Sequence, residues 1–143
     1  FKFTKAILAD EVIEVYGQGQ MHRDFTYVTD LVRAIGLLIA AVPVRPAAAT
    51  DIFPGDSLSP VAPWRVVNIG NGEKVALGDF IAAIETATGK TARKTYLGMQ
   101  KGDVVATWAD ASLAHRLTGF RPEIDIRTGM AKFVEWYRSY YQL

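Results

Sequence analysis

From Leu31 to Val42 the chain has almost no polar side. Leu31, Ala34, Ile35, Leu38 and Ile39 share one helical face, and Gly36, Leu37, Ala40 and Ala41 leave little but Arg33 to meet water. A helix that is apolar all round needs cover on several sides. The unbroken part, Ala34 to Pro43, is only about ten residues, half of what a bilayer crossing needs, so it is a core helix. Thr29 or Asp30 is placed to cap it. A fold that buries such a helix must stack layers on it, which restricts the rest of the chain to elements that can supply them.

Those elements alternate. Phe3, Ile7 and Leu8 have helical spacing, so an opening helix runs to Ala9–Asp10, and the chain begins as if entered in mid-helix, without Met. Val12–Tyr16 is β-branched and aromatic and stops at Gly17, which predicts a strand followed by the turn Gly17-Gln18-Gly19-Gln20. Phe25, Tyr27 and Val28 suggest a second short strand, and Trp64–Gly70 reads as a buried one. Leu77, Phe80, Ile81 and Ile84 form a helical stripe closed by Gly89. Ala92–Leu97 is a weaker strand. Asp110 and Thr128 are the expected caps of two more helices, the last carrying Met130, Phe133, Val134, Tyr137 and Tyr141. Strands alternating with helices indicate an α/β fold. Residues 43–63 hold five of the six prolines. A connection that long is functional or disordered as a rule, so it is expected to be mobile and without secondary structure.

Composition removes several classes of function. With 16 Lys and Arg against 15 Asp and Glu there is no broad cationic field, so a nucleic-acid partner is not expected. The absence of cysteine excludes a disulfide framework, a thiolate zinc site and a Cys nucleophile. His22 and His115, far apart, make a poor metal site. No signal peptide is evident.

The glycine patterns do not make a dinucleotide loop. After Gly17-Gln18-Gly19 the third position is His22 and no helix opens; after Gly70-Asn71-Gly72 it is Val75. A tight strand-to-helix turn explains both better. None of the six tyrosines has Lys four residues on, so a Tyr–Lys acid–base pair is absent. His22-Arg23-Asp24 holds more interest. A rigidly held guanidinium suits a phosphate bidentately, and Asp24 could orient it, against the plainer reading of a surface Arg–Asp pair. His22 itself reads as solvent-exposed. Gln100-Lys101-Gly102-Asp103 could read a sugar and its phosphate, or be an ordinary polar turn.

Taken in order, several segments resemble a known family. They are Phe1-Lys2-Phe3-Thr4-Lys5-Ala6-Ile7, Val15-Tyr16-Gly17 and Gly19-x-Met21-x-Arg23-Asp24-Phe25-Thr26-Tyr27-Val28, followed by Asn68-Ile69-Gly70-Asn71, Gly102-Asp103-Val104 with Ala109-Asp110, and Phe133-Val134-Glu135-Trp136-Tyr137. The set is similar to NAD-dependent sugar-nucleotide epimerases, extended short-chain dehydrogenase/reductases of Rossmann type. The likeness is strongest to UDP-glucuronate 4-epimerases and weakest over residues 43–63.

The resemblance implies that residues 1–143 are the C-terminal, UDP-sugar-binding region of such an enzyme. The NAD-binding domain, with its glycine motif and Tyr-x-x-x-Lys pair, would lie upstream of Phe1. The helix Leu31–Val42 would help to complete it. It further implies interconversion of UDP-glucuronate and UDP-galacturonate through a 4-keto sugar, with NAD taking and returning the hydride. Matched position by position, Arg23 would hold the diphosphate, Asp103 the ribose hydroxyls and Gln100 the phosphate–ribose link. Backbone groups of Glu14, Val15 and Tyr16 would read the uracil edge. Thr29 stands where Asp is common in the family and Lys101 where Pro is common; neither removes a contact. The intact enzyme is expected to be a cytoplasmic homodimer. The 143-residue chain alone is expected to be inactive and to self-associate through its uncovered helix. Two other readings stay open: a nucleotide-sugar 4,6-dehydratase or decarboxylase of the same superfamily, and a non-catalytic nucleotide-sugar-binding module.

Overall fold

The computed structural model describes residues 1–143. Its centre is one parallel strand pair covered by three helices. Helix α1 (Lys2–Leu8) leads into strand β1 (Val12–Tyr16), which pairs in parallel with β4 (Arg93–Leu97), Val12 opposite Arg93 and Tyr16 opposite Leu97. Along β1 the side chains alternate as a strand on a core must. Ile13 and Val15 are buried, whereas Val12 and Glu14 face out. Helix α3 (Leu77–Thr88) packs against α1 and against the last helix, α5 (Ile126–Tyr141). Ile7, Ile13, Val15, Ile81, Ile84, Met130 and Val134 close the core between them. Each such side chain contributes roughly 1.5–3 kcal/mol when fully buried.

A second, smaller sheet lies beside the first. Strand β2 (His22–Arg23) pairs antiparallel with β3 (Val75–Ala76). On its other side it runs parallel to residues 105–107, with His22 N–H donating to the Val105 carbonyl at 2.9 Å and Asp24 N–H to the Thr107 carbonyl at 3.0 Å. The elements follow the α/β alternation expected from the sequence. α1, β1, α3 and β4 fall within a residue or two of their expected bounds, and Gly89 and Gly119 end α3 and α4 (Ser112–Thr118) in the left-handed conformation.

Several expectations fail for identifiable reasons. Trp64–Gly70 is not a strand. No neighbouring strand pairs with it, and Trp64 and Val66 stay exposed; Val66 is instead tied at both backbone groups to the Ser57 hydroxyl. A strand with no partner leaves its ladder unfilled. The short strand expected around Phe25–Val28 forms earlier, at His22–Arg23. Helix α2 (Val28–Ala40) starts before its expected caps. Asp30 lies in its first turn, 5% exposed, and accepts the N–H groups of Glu123 and Ile124 at 3.0 and 2.9 Å, so it fastens α2 to the approach to α5. In α5 the capping acceptor is Asp125, and Thr128 is the donor, at 2.7 Å. Asp110 does accept the N–H of Ser112 at the start of α4.

Helix α2 is covered on one side only. Ala34 is buried against α4, while Val32, Ile35, Leu37 and Ile39 are exposed, Ile39 by 73%. The total accessible surface is 9234 Å². A compact protein of 15.7 kDa would present about 7,300 Å². Residues 43–63 carry more structure than expected: a 3₁₀ turn at Ala49–Asp51, an Asp56–Arg65 ion pair at 3.0 Å with side chains 2% and 13% exposed, and Phe53 under the Arg116 guanidinium. No helix is long and apolar enough to cross a membrane.

Candidate functional site: an arginine and a polar turn at one sheet edge

Because β1 and β4 are parallel, their C-terminal ends lie at the same edge. Chain leaving both ends converges there, as ligands do in open α/β sheets. Beyond β1 the chain bends at Gly17, whose φ of +59° favours glycine. A Cβ there would also lie 2.7 Å from the Met99 sulfur and 3.1 Å from Met21 Cγ, so the two methionines close over the bend. Beyond β4 the chain forms a turn in which the Asp103 N–H donates to the Gln100 carbonyl at 3.1 Å and Gly102 has φ +95°.

This edge gathers the candidate residues. The Tyr16 hydroxyl donates to Glu14 Oε2 at 2.9 Å. That bond holds the Tyr16 phenol above its ordinary pKa; partial desolvation and the nearby Asp103 charge add to the rise, and Gln100 opposes it. Gln100 and Asp103 therefore lie within reach of the end of β1. Arg23 comes in from β2. Its Nη1 donates to its neighbour's carbonyl, His22 O, at 2.8 Å and to Val104 O at 2.9 Å. The guanidinium is thus fixed one residue from Asp103, and no carboxylate lies within ion-pair distance of it. Val15, by contrast, turns its side chain into the core, so only its backbone is at the edge. The residues form an open rim: clefts of about 670, 390 and 230 Å³ elsewhere on the chain are lined by none of the six.

The expected pairing of Asp24 with Arg23 does not occur. The Asp24 carboxylate points the other way and accepts three backbone donors, Asn71 N at 3.0 Å, Gly72 N at 3.0 Å and Ala109 N at 3.1 Å. This is the feature that sequence reasoning missed. His22, expected to be exposed, is half-buried between β3 and residues 105–107. No group of three or more His, Cys, Asp or Glu side chains is placed to hold a metal ion.

Nor do the glycine loops fit a dinucleotide. The amides of Asn71 and Gly72 that would face a pyrophosphate are already spent on Asp24, and Gly17–Gly19 is a 3₁₀ turn that opens no helix.

The fold is a partial, Rossmann-type α/β one, and comparison with known proteins shows what the chain resembles. Residues 1–48 match the model of the NAD dependent epimerase/dehydratase family. Over 99% of its length the chain is 47% identical to Protein CapI of Staphylococcus aureus, covering 42% of that protein. It is 44% identical to a protein of Rhizobium meliloti (strain 1021) named "Probable UDP-glucuronate 4-epimerase", again over 99% of this chain and 42% of the relative. Among solved structures, MoeE5 in complex with UDP-glucuronic acid and NAD superimposes with a TM-score of 0.76 at 31% identity, over 97% of this chain and 40% of MoeE5. Its first third thus matches that family, and nearly the whole chain is similar to proteins named as UDP-glucuronate 4-epimerases. It spans about two fifths of the length of these relatives.

Proposed function

We propose that residues 1–143 are the C-terminal, nucleotide-anchoring region of an NAD-dependent UDP-sugar 4-epimerase that interconverts UDP-glucuronate and UDP-galacturonate. The observation that supports this reading is that the Arg23 guanidinium is held at the Val104 carbonyl, one residue from Asp103, while Gln100 and Asp103 neighbour Tyr16 at the end of β1. In this reading a dianionic diphosphate binds the one guanidinium there that no carboxylate neutralises. Asp103 accepts from the ribose hydroxyls, Gln100 bridges phosphate and ribose, and the backbone of Glu14–Tyr16 reads the uracil edge. Holding the nucleotide leaves the sugar free to turn over, so binding energy far from the reacting carbon supports the reaction there.

NAD belongs to the remainder of the enzyme, which α2 helps to complete. The uncovered apolar face of α2 supports this, as does a surface larger than a compact protein of this mass requires. The intact enzyme is a cytoplasmic homodimer in this reading, and the 143-residue chain alone is inactive. The printed names of the relatives favour 4-epimerisation over the dehydratase and decarboxylase alternatives.

Calorimetry with UDP tests the anchor. A hydrogen bond to a charged group is worth about 1.5–3 kcal/mol, so Arg23→Ala should weaken UDP binding at least tenfold. Equal affinity in wild type and variant would refute the assignment. Turnover of UDP-glucuronate by the isolated 143-residue chain would refute the division of labour.

A further inference from the structure

Asp24 lies next to Arg23 in sequence yet faces the opposite way, and its two carboxylate oxygens satisfy three backbone N–H groups from two separate loops. One loop, Asn71–Gly72, leads into β3, the antiparallel neighbour of β2. The other ends at Ala109, just beyond residues 105–107, the parallel neighbour of β2. The turn bearing Gln100 and Asp103 is held at one end by β4 and at the other by this second segment. Its Val104 carbonyl is also the carbonyl that fixes the Arg23 guanidinium.

A second observation marks the same contact from outside. Gly70 is buried, and a Cβ added to it would lie 2.7 Å from Asp24 Oδ2 and 2.7 Å from the Ala109 Cβ. Its φ is not in the left-handed region, so conformational freedom does not explain glycine here. The space beside the carboxylate does.

We infer that Asp24 is a positioning residue for nucleotide binding: by clamping Asn71, Gly72 and Ala109 it sets the distance between Arg23 and the Gln100–Asp103 turn. This rests on the nucleotide-anchor reading above. Asp24 touches no ligand and acts through Arg23 and the turn. A neutral amide at this position offers one acceptor oxygen to three donors and turns its own N–H₂ toward one of them, so the clamp opens. Gly70→Ala opens it from the other side.

The test uses the full-length protein, with UDP as the probe. Asp24→Asn should stay folded, with faster hydrogen exchange at the Asn71, Gly72 and Ala109 amides, and should bind UDP about tenfold or more weakly. In an Arg23→Ala background the same substitution should change UDP affinity by less than about threefold, because coupled residues lose additivity. Additive losses, or Asp24→Asn affinity within about twofold of wild type, overturn the positioning role but leave the anchor standing. If Arg23→Ala binds UDP as well as wild type, the anchor reading fails and the positioning role fails with it. If Asp24→Asn does not fold, Gly70→Ala carries the same measurements; if neither folds, Asp24 serves the fold and the inference is overturned.

Discussion

The Asp56–Arg65 pair offers a sharp test of how residues 43–66 are held. Asp56 Oδ2 and Arg65 Nη2 are 3.0 Å apart, their side chains are 2% and 13% exposed, and Asp56 Oδ1 also accepts the Leu58 N–H at 2.9 Å. Arg65→Met removes the cation and keeps most of the volume. It strands a carboxylate out of water, and breaking a buried pair from one side costs about 3–5 kcal/mol. For a protein of this size that is a fall in Tm of roughly 10–17 °C. Adding Asp56→Asn removes the stranded charge while still accepting from Leu58. Arg65→Met itself also removes the Arg65 Nε donor, which is buried without a partner. The double variant should therefore recover most of the loss and lie within about 2 kcal/mol of wild type. Urea denaturation of wild type, both single variants and the double variant gives the coupling directly. A loss below about 1 kcal/mol for Arg65→Met would refute the reasoning, because it is what a solvated surface pair yields.

Ile84→Ala, at a core position 1% exposed, should destabilise by about 2–5 kcal/mol in the same measurement. Gly17→Ala should cost roughly 1 kcal/mol or more even with Met99→Ala present, because the φ of +59° strains an L residue after the sulfur is gone. Lys94 Nζ, 2.8 Å from Glu85, together with the Ala92 N–H, holds the Glu85 carboxyl below its ordinary pKa of 4.5. A depressed carboxyl stabilises the fold above its unfolded value, and that stability is lost as pH falls through the folded value. Glu85→Gln should flatten this part of the acid limb in pH-dependent denaturation, and an unchanged limb would count against the pair. Ile39→Glu, on the uncovered face of α2, should leave the stability of the 143-residue chain within about 0.5 kcal/mol while reducing its self-association in sedimentation.

How far the sequence specifies the fold can be seen from which elements were read correctly. β1 was legible because Val12–Tyr16 satisfies β-propensity, alternation and a glycine stop at once, and it has both a pairing strand, β4, and a packing helix, α1. Trp64–Gly70 has the same local signals but no pairing strand, and a strand is a property of two segments. The helical stripe of α2 was also legible, but not which side would be covered, since that depends on what packs against it. At the candidate site, Arg23 and Asp103 are proposed through an ordered resemblance, because each alone looks like a surface polar residue. Asp24 was misread because a carboxylate beside an arginine suggests an ion pair. Nothing local shows that loops more than forty residues away would present three free amides. Gly70, in a position that needs no unusual φ, was the available clue.

The way Arg23 is fastened bears on how the rim meets an anion. Carbonyl oxygens hold the guanidinium in place without cancelling its charge, so an incoming anion has no resident carboxylate to evict. Added salt should then weaken attraction by screening, gradually, over a Debye length of about 8 Å at physiological ionic strength. In the proposed reading, selectivity among anions falls to the shape and hydrogen bonding of the neighbouring turn and to the Glu14 and Asp103 carboxylates beside it.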